Sequence, residues 1–337
     1  MTGSGTVGDP YIIYDVTDLQ AMNNSLAAYY ELANDIDASA TSGWNSGKGF
    51  DPIGSGCGTL GHIHLVPQSD VSQSGTWTVV PVSPNTFYDK VDDGATGLAD
   101  PTPDDDITYI QATAIGNVQV LHTDSIDIPS YATITNVKCD YMRSKASVYN
   151  STTRCWPGLF VNGTWYKHAS TYFRPTASYL TLALNATWTT NPNTSASWTV
   201  DDILGTGSSP LQGFGIDVTV IPVAWLRFTT FFFEVNYSAS PFVGHFTGNS
   251  HTISGLHINR PMRSYVGLFG DVSGAGYVAD VTLSNVSIIG YDKVGALIGG
   301  IGTLSTGSIK DCSASGAVSA TLYAGGLIGY AVGPGGA

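Results

Sequence analysis

Val266-Gly267-Leu268-Phe269-Gly270, Val294-Gly295-Ala296-Leu297-Ile298-Gly299 and Ala324-Gly325-Gly326-Leu327-Ile328-Gly329 are three versions of one apolar–glycine word. They recur roughly every 29 residues, and one small unit per period of that size marks a stacked repeat. Strand-like stretches, Val278 to Ile289 and Ile309 to Ala320, run between them. These stretches have no helical period. They are β-branched runs cut by Gly, Ser and Asp, which suits a parallel β-helix with two or three strands per coil. Working outward, Phe50-Asp51-Pro52-Ile53-Gly54 starts a coil that breaks off at Ser55 to Gly58. The pattern resumes at Phe242-Val243-Gly244-His245-Phe246 and His251-Thr252-Ile253-Ser254-Gly255-Leu256. What lies between is an insertion.

The expected fold class is therefore all-β. A parallel β-helix (solenoid) with a short N-terminal capping helix is interrupted by an inserted antiparallel β-sandwich of jelly-roll type. The divisions are 1–56 for the cap and first coil, 57–241 for the insertion and 242–337 for the repeats. Thr17-Asp18-Leu19-Gln20 reads as a capping box, and Leu19, Met22 and Leu26 follow at helical spacing, which predicts a helix near 18–25. In the insertion, candidate strands recur every ten residues or so. They include Ile107 to Ala112, Val118 to Ser125, Thr133 to Met142, Leu159 to Val161, Trp165 to His168, Leu180 to Leu184, Phe214 to Val220 and Trp225 to Val235. Asn162-Gly163 is a type I′ hairpin signal.

Composition excludes several classes of function. Charged residues are 12% of the 337, and the net charge of −13 reflects only 13 Lys+Arg. Without clustered bases there is no nucleic-acid footprint. No run reaches the ~18 apolar residues of a membrane span. The N-terminus, Met1-Thr2-Gly3-Ser4-Gly5-Thr6, lacks a basic start and an apolar core, so no Sec signal is expected there. Cys57, Cys139, Cys155 and Cys312 form no CxxC pair, which argues against zinc. Cys139 and Cys155 fall on candidate neighbouring strands, where either a cross-strand disulfide or two buried thiols fits.

The repeats resemble the glycine-rich GLUG repeat of bacterial surface proteins and phage-associated proteins. The words "GDPYIIYDVTDLQAMN", "YYELANDIDAS", "FTGNSHTISGL" and "YVGLFG", in residues 8–54 and 242–330, carry that resemblance. The insertion resembles a jelly-roll domain of tailed-phage structural proteins through "DDDITYI", "SIDIPSYATITNVKCDYMR", "WTTNPNTSASWTVDDI", "GFGIDV" and "LRFTTFFFEVNY". The second resemblance implies that Asn191-Pro192 and Trp198 sit in a loop before a final strand pair. Together they imply a virion component (fibre, spike or decoration protein), with a bacterial surface adhesin or filament subunit as the alternative. A virion location follows from the first reading, and an extracellular or cell-surface one from the second. The expected partners are other virion or surface proteins and a cell-surface glycan.

Catalysis is not expected, and no cofactor is implied. A β-helix lyase or hydrolase, the lesser alternative, needs clustered carboxylates with a base. Asp280 and Asp311 stand at matching repeat positions beside Lys310, and they are better explained as turn residues. The acidic run Asp92-Asp93, Asp100 and Asp104-Asp105-Asp106 offers weak calcium candidates at Asp104, Asp105 and Asp106 without calcium-loop spacing. His62 and His64 lack a third ligand. Trp156, Trp165, Tyr166 and Tyr172 are the candidate carbohydrate-stacking residues, although strand alternation sends about half of such residues into a core. The last strand leaves an uncovered edge, which predicts a homo-oligomer, a trimer in preference to a head-to-tail filament.

Overall fold

The computed structural model describes residues 1–55, 61–65, 69–73, 77–80, 109–121, 127–220, 223–304 and 306–331, of which 61–65, 69–73, 77–80, 109, 117–121, 220 and 230–232 are described by backbone alone. The chain is mostly β, in several sheets, and divides into two compact units. The first unit comprises Met1–Gly61, Asp127–Ala132 and Ser238–Ala337, and the second His62–Ile126 and Thr133–Tyr237. Among the described residues, no helix is long and apolar enough to cross a membrane.

The first unit is built on parallel ladders. One sheet runs Tyr11–Ile13, Tyr29–Leu32, His245–Thr247, Tyr277–Ala279, Ser308–Lys310, parallel throughout. Tyr29–Leu32 thus pairs directly with His245–Thr247, far along the chain. A second sheet stacks Ile36–Asp37, Thr252–Ser254, Thr282–Gly295 and Ser313–Ala320, with His257–Val266 and Ala324–Gly325 also paired to Thr282–Gly295. A third stacks Phe269–Gly274, Ile298–Leu304 and Ile328–Ala331.

Register makes like meet like. Tyr30, Phe246, Val278 and Ile309 lie in one row, Ile36, Ile253, Leu283 and Ala314 in another, and Phe269, Ile298 and Ile328 in a third. Most of these side chains are fully buried in one continuous core. The glycines of the repeat word have a steric cause. A Cβ at Gly295 would lie 2.2 Å from the Ile298 carbonyl oxygen, so only glycine allows that backbone approach.

The N-terminal helix differs from the expectation. It spans Val16–Ala21 and continues as a 3-10 turn, Met22–Asn24. Its cap is Asp15, whose carboxylate accepts from the Thr17 and Asp18 amides at 2.8 Å, rather than a box starting at Thr17. The shift places Val16, Leu19 and Met22 in the core.

The second unit consists of two antiparallel sheets. One has the order Thr164–Lys167, Arg154–Val161, Leu211–Val220, Gly116–Leu121, Ser69–Gln73. The other has Leu180–Trp188, Thr133–Ala146, Leu226–Ser238, Tyr109–Ala112, Trp77–Val80, with Gly61–Leu65 also on Leu226–Ser238. Phe214 of the first meets Phe233 of the second at 4.7 Å between ring centroids, so the two pack as a sandwich. Asn162, at φ 47°, turns the expected hairpin. Asn191 and Trp198 lie buried in the loop before the last strand pair; the Asn191 side-chain amide donates to the Ser209 carbonyl and the Trp198 indole to the Trp188 carbonyl.

Of the two alternatives for Cys139 and Cys155, the structure has two free, buried thiols, in different sheets and not on neighbouring strands, and burial pushes them well above their ordinary pKa. One expectation is corrected. The segment Asp127–Ala132, read from sequence as part of the insertion, belongs to the first unit. There Arg260 binds Asp127 and Arg263 binds Asp51, all four buried, and Ser130 donates to Asp51 from its amide and its hydroxyl. Burial pushes the Asp51 carboxyl up, but Arg263 and Arg260 beside it hold it below the usual range.

Candidate functional site

The sheet that starts at Thr164–Lys167 has an outer face unlike the rest of the chain. Along Arg154–Val161 the alternation sends Cys155, Leu159 and Val161 into the core. It leaves Trp156, Gly158 and Phe160 on the other face. Register then places Asp217 opposite Trp156, Gly215 and Lys167 opposite Gly158, and Gly213 and Trp165 opposite Phe160. The centre of this face thus carries glycines, and indoles, Lys167 and Asp217 stand around it.

The indoles are held in place. A Cβ at Gly158 would lie 2.3 Å from the Trp165 ring, so the ring lies flat across that glycine. The Trp156 Nε1 donates to Thr219 Oγ1 at 3.1 Å. Tyr172 packs against Trp156 at 4.9 Å between centroids. All three rings remain half-exposed. The Trp165 Nε1 is buried without a hydrogen bond of ordinary geometry, and Asp217 is the carboxylate beside it. Burial raises the Asp217 pKa, against the opposing effects of Lys167 and Trp165.

Cations complete the surface. The Arg154 and Arg174 guanidinium carbons each lie 5.2 Å from the Tyr172 centroid, and Lys167 Nζ lies 5.5 Å from that of Trp156. Arg174 also donates to the Tyr172 hydroxyl at 3.0 Å.

Of the four aromatics singled out in the sequence, three come together: Trp156, Trp165 and Tyr172. Tyr166 does not join them. Its register partner is the core residue Leu159, and its hydroxyl donates to Asn193 at 2.7 Å, which ties it to the loop after Trp188. Neighbours on a strand cannot share a face, so the separation of Trp165 from Tyr166 was already readable. Arg154, Lys167, Arg174 and Asp217 were missed. The period of two would have found Arg154 beside Trp156 and Lys167 beside Trp165; Asp217 depends on register.

The other candidates divide. Asp280 and Asp311, at φ 56° and 51°, directly follow the paired strands Tyr277–Ala279 and Ser308–Lys310 respectively. They are left-handed turn residues, a role suited to Asn and Asp. A second titratable cluster lies on the parallel unit. Lys293 Nζ donates to the Tyr265 hydroxyl at 2.9 Å and lies 3.6 Å from Asp292. Asp271 nearby is buried, and burial raises its pKa to about 6. Asp104, Asp105, Asp106 and Cys57 lie outside the described residues, and His62 and His64 outside the described side chains. Among the described residues no three His, Cys, Asp or Glu side chains converge as a metal site.

No protein-family model matches the chain. A stretch of 83 residues is 46% identical to Halomucin of Haloquadratum walsbyi (strain DSM 16790 / HBSQ001), which takes in 23% of this chain and 1% of that protein. Three solved structures are similar at a low level. The CBM36-1 domain of a multidomain xylanase from the hindgut metagenome of Trinervitermes trinervoides has 8% identity and a TM-score of 0.24, over 52% of this chain and 96% of that one. The N-terminal cellulose-binding domain of Cellulomonas fimi β-1,4-glucanase C has 12% identity and a TM-score of 0.21, over 49% and 86%. The catalytic domain of a GH87 α-1,3-glucanase in complex with nigerose has 10% identity and a TM-score of 0.19, over 82% and 61%.

Proposed function

We propose that the chain is a non-catalytic attachment protein that holds carbohydrate on the outer face of its antiparallel unit. Trp156 and Trp165 carry the reading: both indoles lie half-exposed on one sheet face rather than in the sandwich core. A sugar ring stacks its C–H face on such surfaces, and hydroxyls find partners in Asp217, Thr219 and Lys167. The antiparallel unit is then a jelly roll. The three parallel sheets are the faces of a β-helix, and the coil supplies a rigid support. Affinity electrophoresis of the full chain through gels cast with single polysaccharides tests this. Retention by at least one glycan is expected, with loss in Trp156→Ala. Free migration in every gel sinks the reading.

The sequence resemblance supports a virion fibre, spike or decoration protein as the setting, with a bacterial surface adhesin as the alternative. Tail and capsid genes beside this one favour the first, and export and sortase genes the second. We also propose that the protein self-associates through its last coil. There Val286, Ala314, Val318 and Leu327 line an open trough of about 410 Å³. A concentration-independent monomer by light scattering would remove that proposal.

A further inference from the structure

The attachment face gathers three cations around two aromatic rings. Acids outnumber bases 26 to 13 in this chain. Even so, Arg154, Arg174 and Lys167 converge on two neighbouring rings, Tyr172 and Trp156. Among the described residues four other cations hold ion pairs, while Arg143 and Lys145 share the Tyr179 ring on the other sheet. Arg260 and Arg263 bind Asp127 and Asp51, Lys138 lies 2.6 Å from Asp140, and Lys293 lies 3.6 Å from Asp292. Arg154, Arg174 and Lys167 have no carboxylate within ion-pair distance among the described residues. The Arg174 Nε is buried with no hydrogen-bond partner. Among the described residues Tyr172 and Asp217 are the titratable groups facing this set; burial raises the Asp217 pKa, and Lys167 opposes that rise.

Two guanidiniums at one phenol ring repel each other, and the ring's quadrupole offsets only part of that. A bound anion removes the repulsion. Guanidinium presents parallel N–H donors that fit a carboxylate or a sulfate with two hydrogen bonds. We infer that the ligand is an acidic polysaccharide, whose sugar rings stack on Trp156 and Trp165 while its carboxylate or sulfate groups sit on Arg154, Arg174 and Lys167. This rests on the carbohydrate reading above and specifies its ligand class.

The test compares the full chain on polygalacturonate, its methyl ester, dextran sulfate and dextran, by affinity electrophoresis and calorimetry. Binding to at least one acidic polymer should exceed that to its neutral counterpart by tenfold or more. It should weaken several-fold between 50 mM and 300 mM NaCl, as screening requires. Arg154→Gln with Arg174→Gln should lose that preference while the melting temperature stays within a few degrees. Lys167→Gln, a single change at an exposed edge-strand position, gives the same reading should the double variant fold poorly. Arg143→Gln, on the other sheet, should leave the preference intact. Equal binding to acidic and neutral forms, or an acidic preference unmoved by the Arg154, Arg174 and Lys167 variants, overturns the charge inference and leaves the carbohydrate reading standing. No binding to any polymer overturns both.

Discussion

Two single residues separate packing from binding. Burial disfavours the charge of Asp271, and its pKa rises from 3.8 to about 6. The sign follows from where the proton sits. Between pH 4 and 6 the folded chain binds the proton more tightly than the unfolded one. Stability from this group is therefore full below about pH 4 and is lost as pH rises through about 6. Asp271→Asn keeps the shape and an acceptor for the Val272 and Gly302 amides while removing the charge. Urea titrations should show the variant equal to wild type at pH 4 and more stable at pH 7, by at most about 2 kcal/mol once partial solvent screening is allowed for. A variant less stable at pH 7 would mean that the ionised carboxylate has a favourable role. Gly158 is the second such residue. Valine suits a strand, but its Cβ meets the Trp165 ring at 2.3 Å, and that ring can swing away at its two side-chain torsions. Gly158→Val should leave the unfolding free energy within about 1 kcal/mol while glycan retention falls toward that of Trp165→Ala. Retention at the wild-type level would remove Trp165 from the binding surface.

At the scale of elements, what the sequence showed depended on whether a signal was a period or an angle. The recurrence of the word at Val266, Val294 and Ala324 and the alternation along Thr133–Ala146 are periods, and both correspond to strands in the structure. The sign of φ at Asp280 is an angle, and spacing does not carry it. The matching positions of Asp280 and Asp311 left a stacked acid pair open beside the preferred turn reading, and the positive φ at both is that of the turn. The hydrogen bonds around Asp280 show why a turn forms there. The Ser250 amide donates to the Asp280 carbonyl, and the Asp280 amide donates to the Lys310 carbonyl, so three successive repeats are joined through one backbone turn. A substitution series should follow conformational cost alone. Asp280→Gly and Asp280→Asn are expected within about 0.5 kcal/mol of wild type, and Asp280→Val about 1–2 kcal/mol less stable, since a branched Cβ clashes in the left-handed region. Urea midpoints decide this. An equal loss in the glycine and valine variants would point instead to a needed carboxylate.

For the whole molecule, the chain's path matters more than its sequence order. It leaves the parallel unit near Gly61, returns for Asp127–Ala132, departs again at Thr133 and comes back at Ser238. The outer pair of crossings was legible, because the repeat pattern stops at Gly54 and resumes at Phe242. The short return was not. Six residues have no period, and the stretch "SIDIPSYATITNVKCDYMR" runs straight on into a strand. Its purpose lies in charges that meet only on folding. Arg260 is buried, its Nε donates to the Phe50 carbonyl at 3.1 Å, and its ion-pair partner is Asp127. Asp51 offers a longer contact of 3.8 Å to the same guanidinium while it also binds Arg263. Removing Asp127 leaves two buried guanidiniums to share one carboxylate. The loss of one partner from a buried pair costs about 3–5 kcal/mol, and the residual contact to Asp51 points to the lower end. Asp127→Ala should therefore destabilise the parallel unit by about 3 kcal/mol, although residue 127 lies deep within the insertion's sequence. Hydrogen exchange at the amides of Phe50 and Asn259, which bond the His257 and Lys48 carbonyls, reads that unit directly. Asp201→Ala, an exposed helix position of the antiparallel unit, is the control and should leave those amides unchanged. If Asp127→Ala also leaves them unchanged, the Asp127–Ala132 return is a passive strap and the parallel unit closes without it.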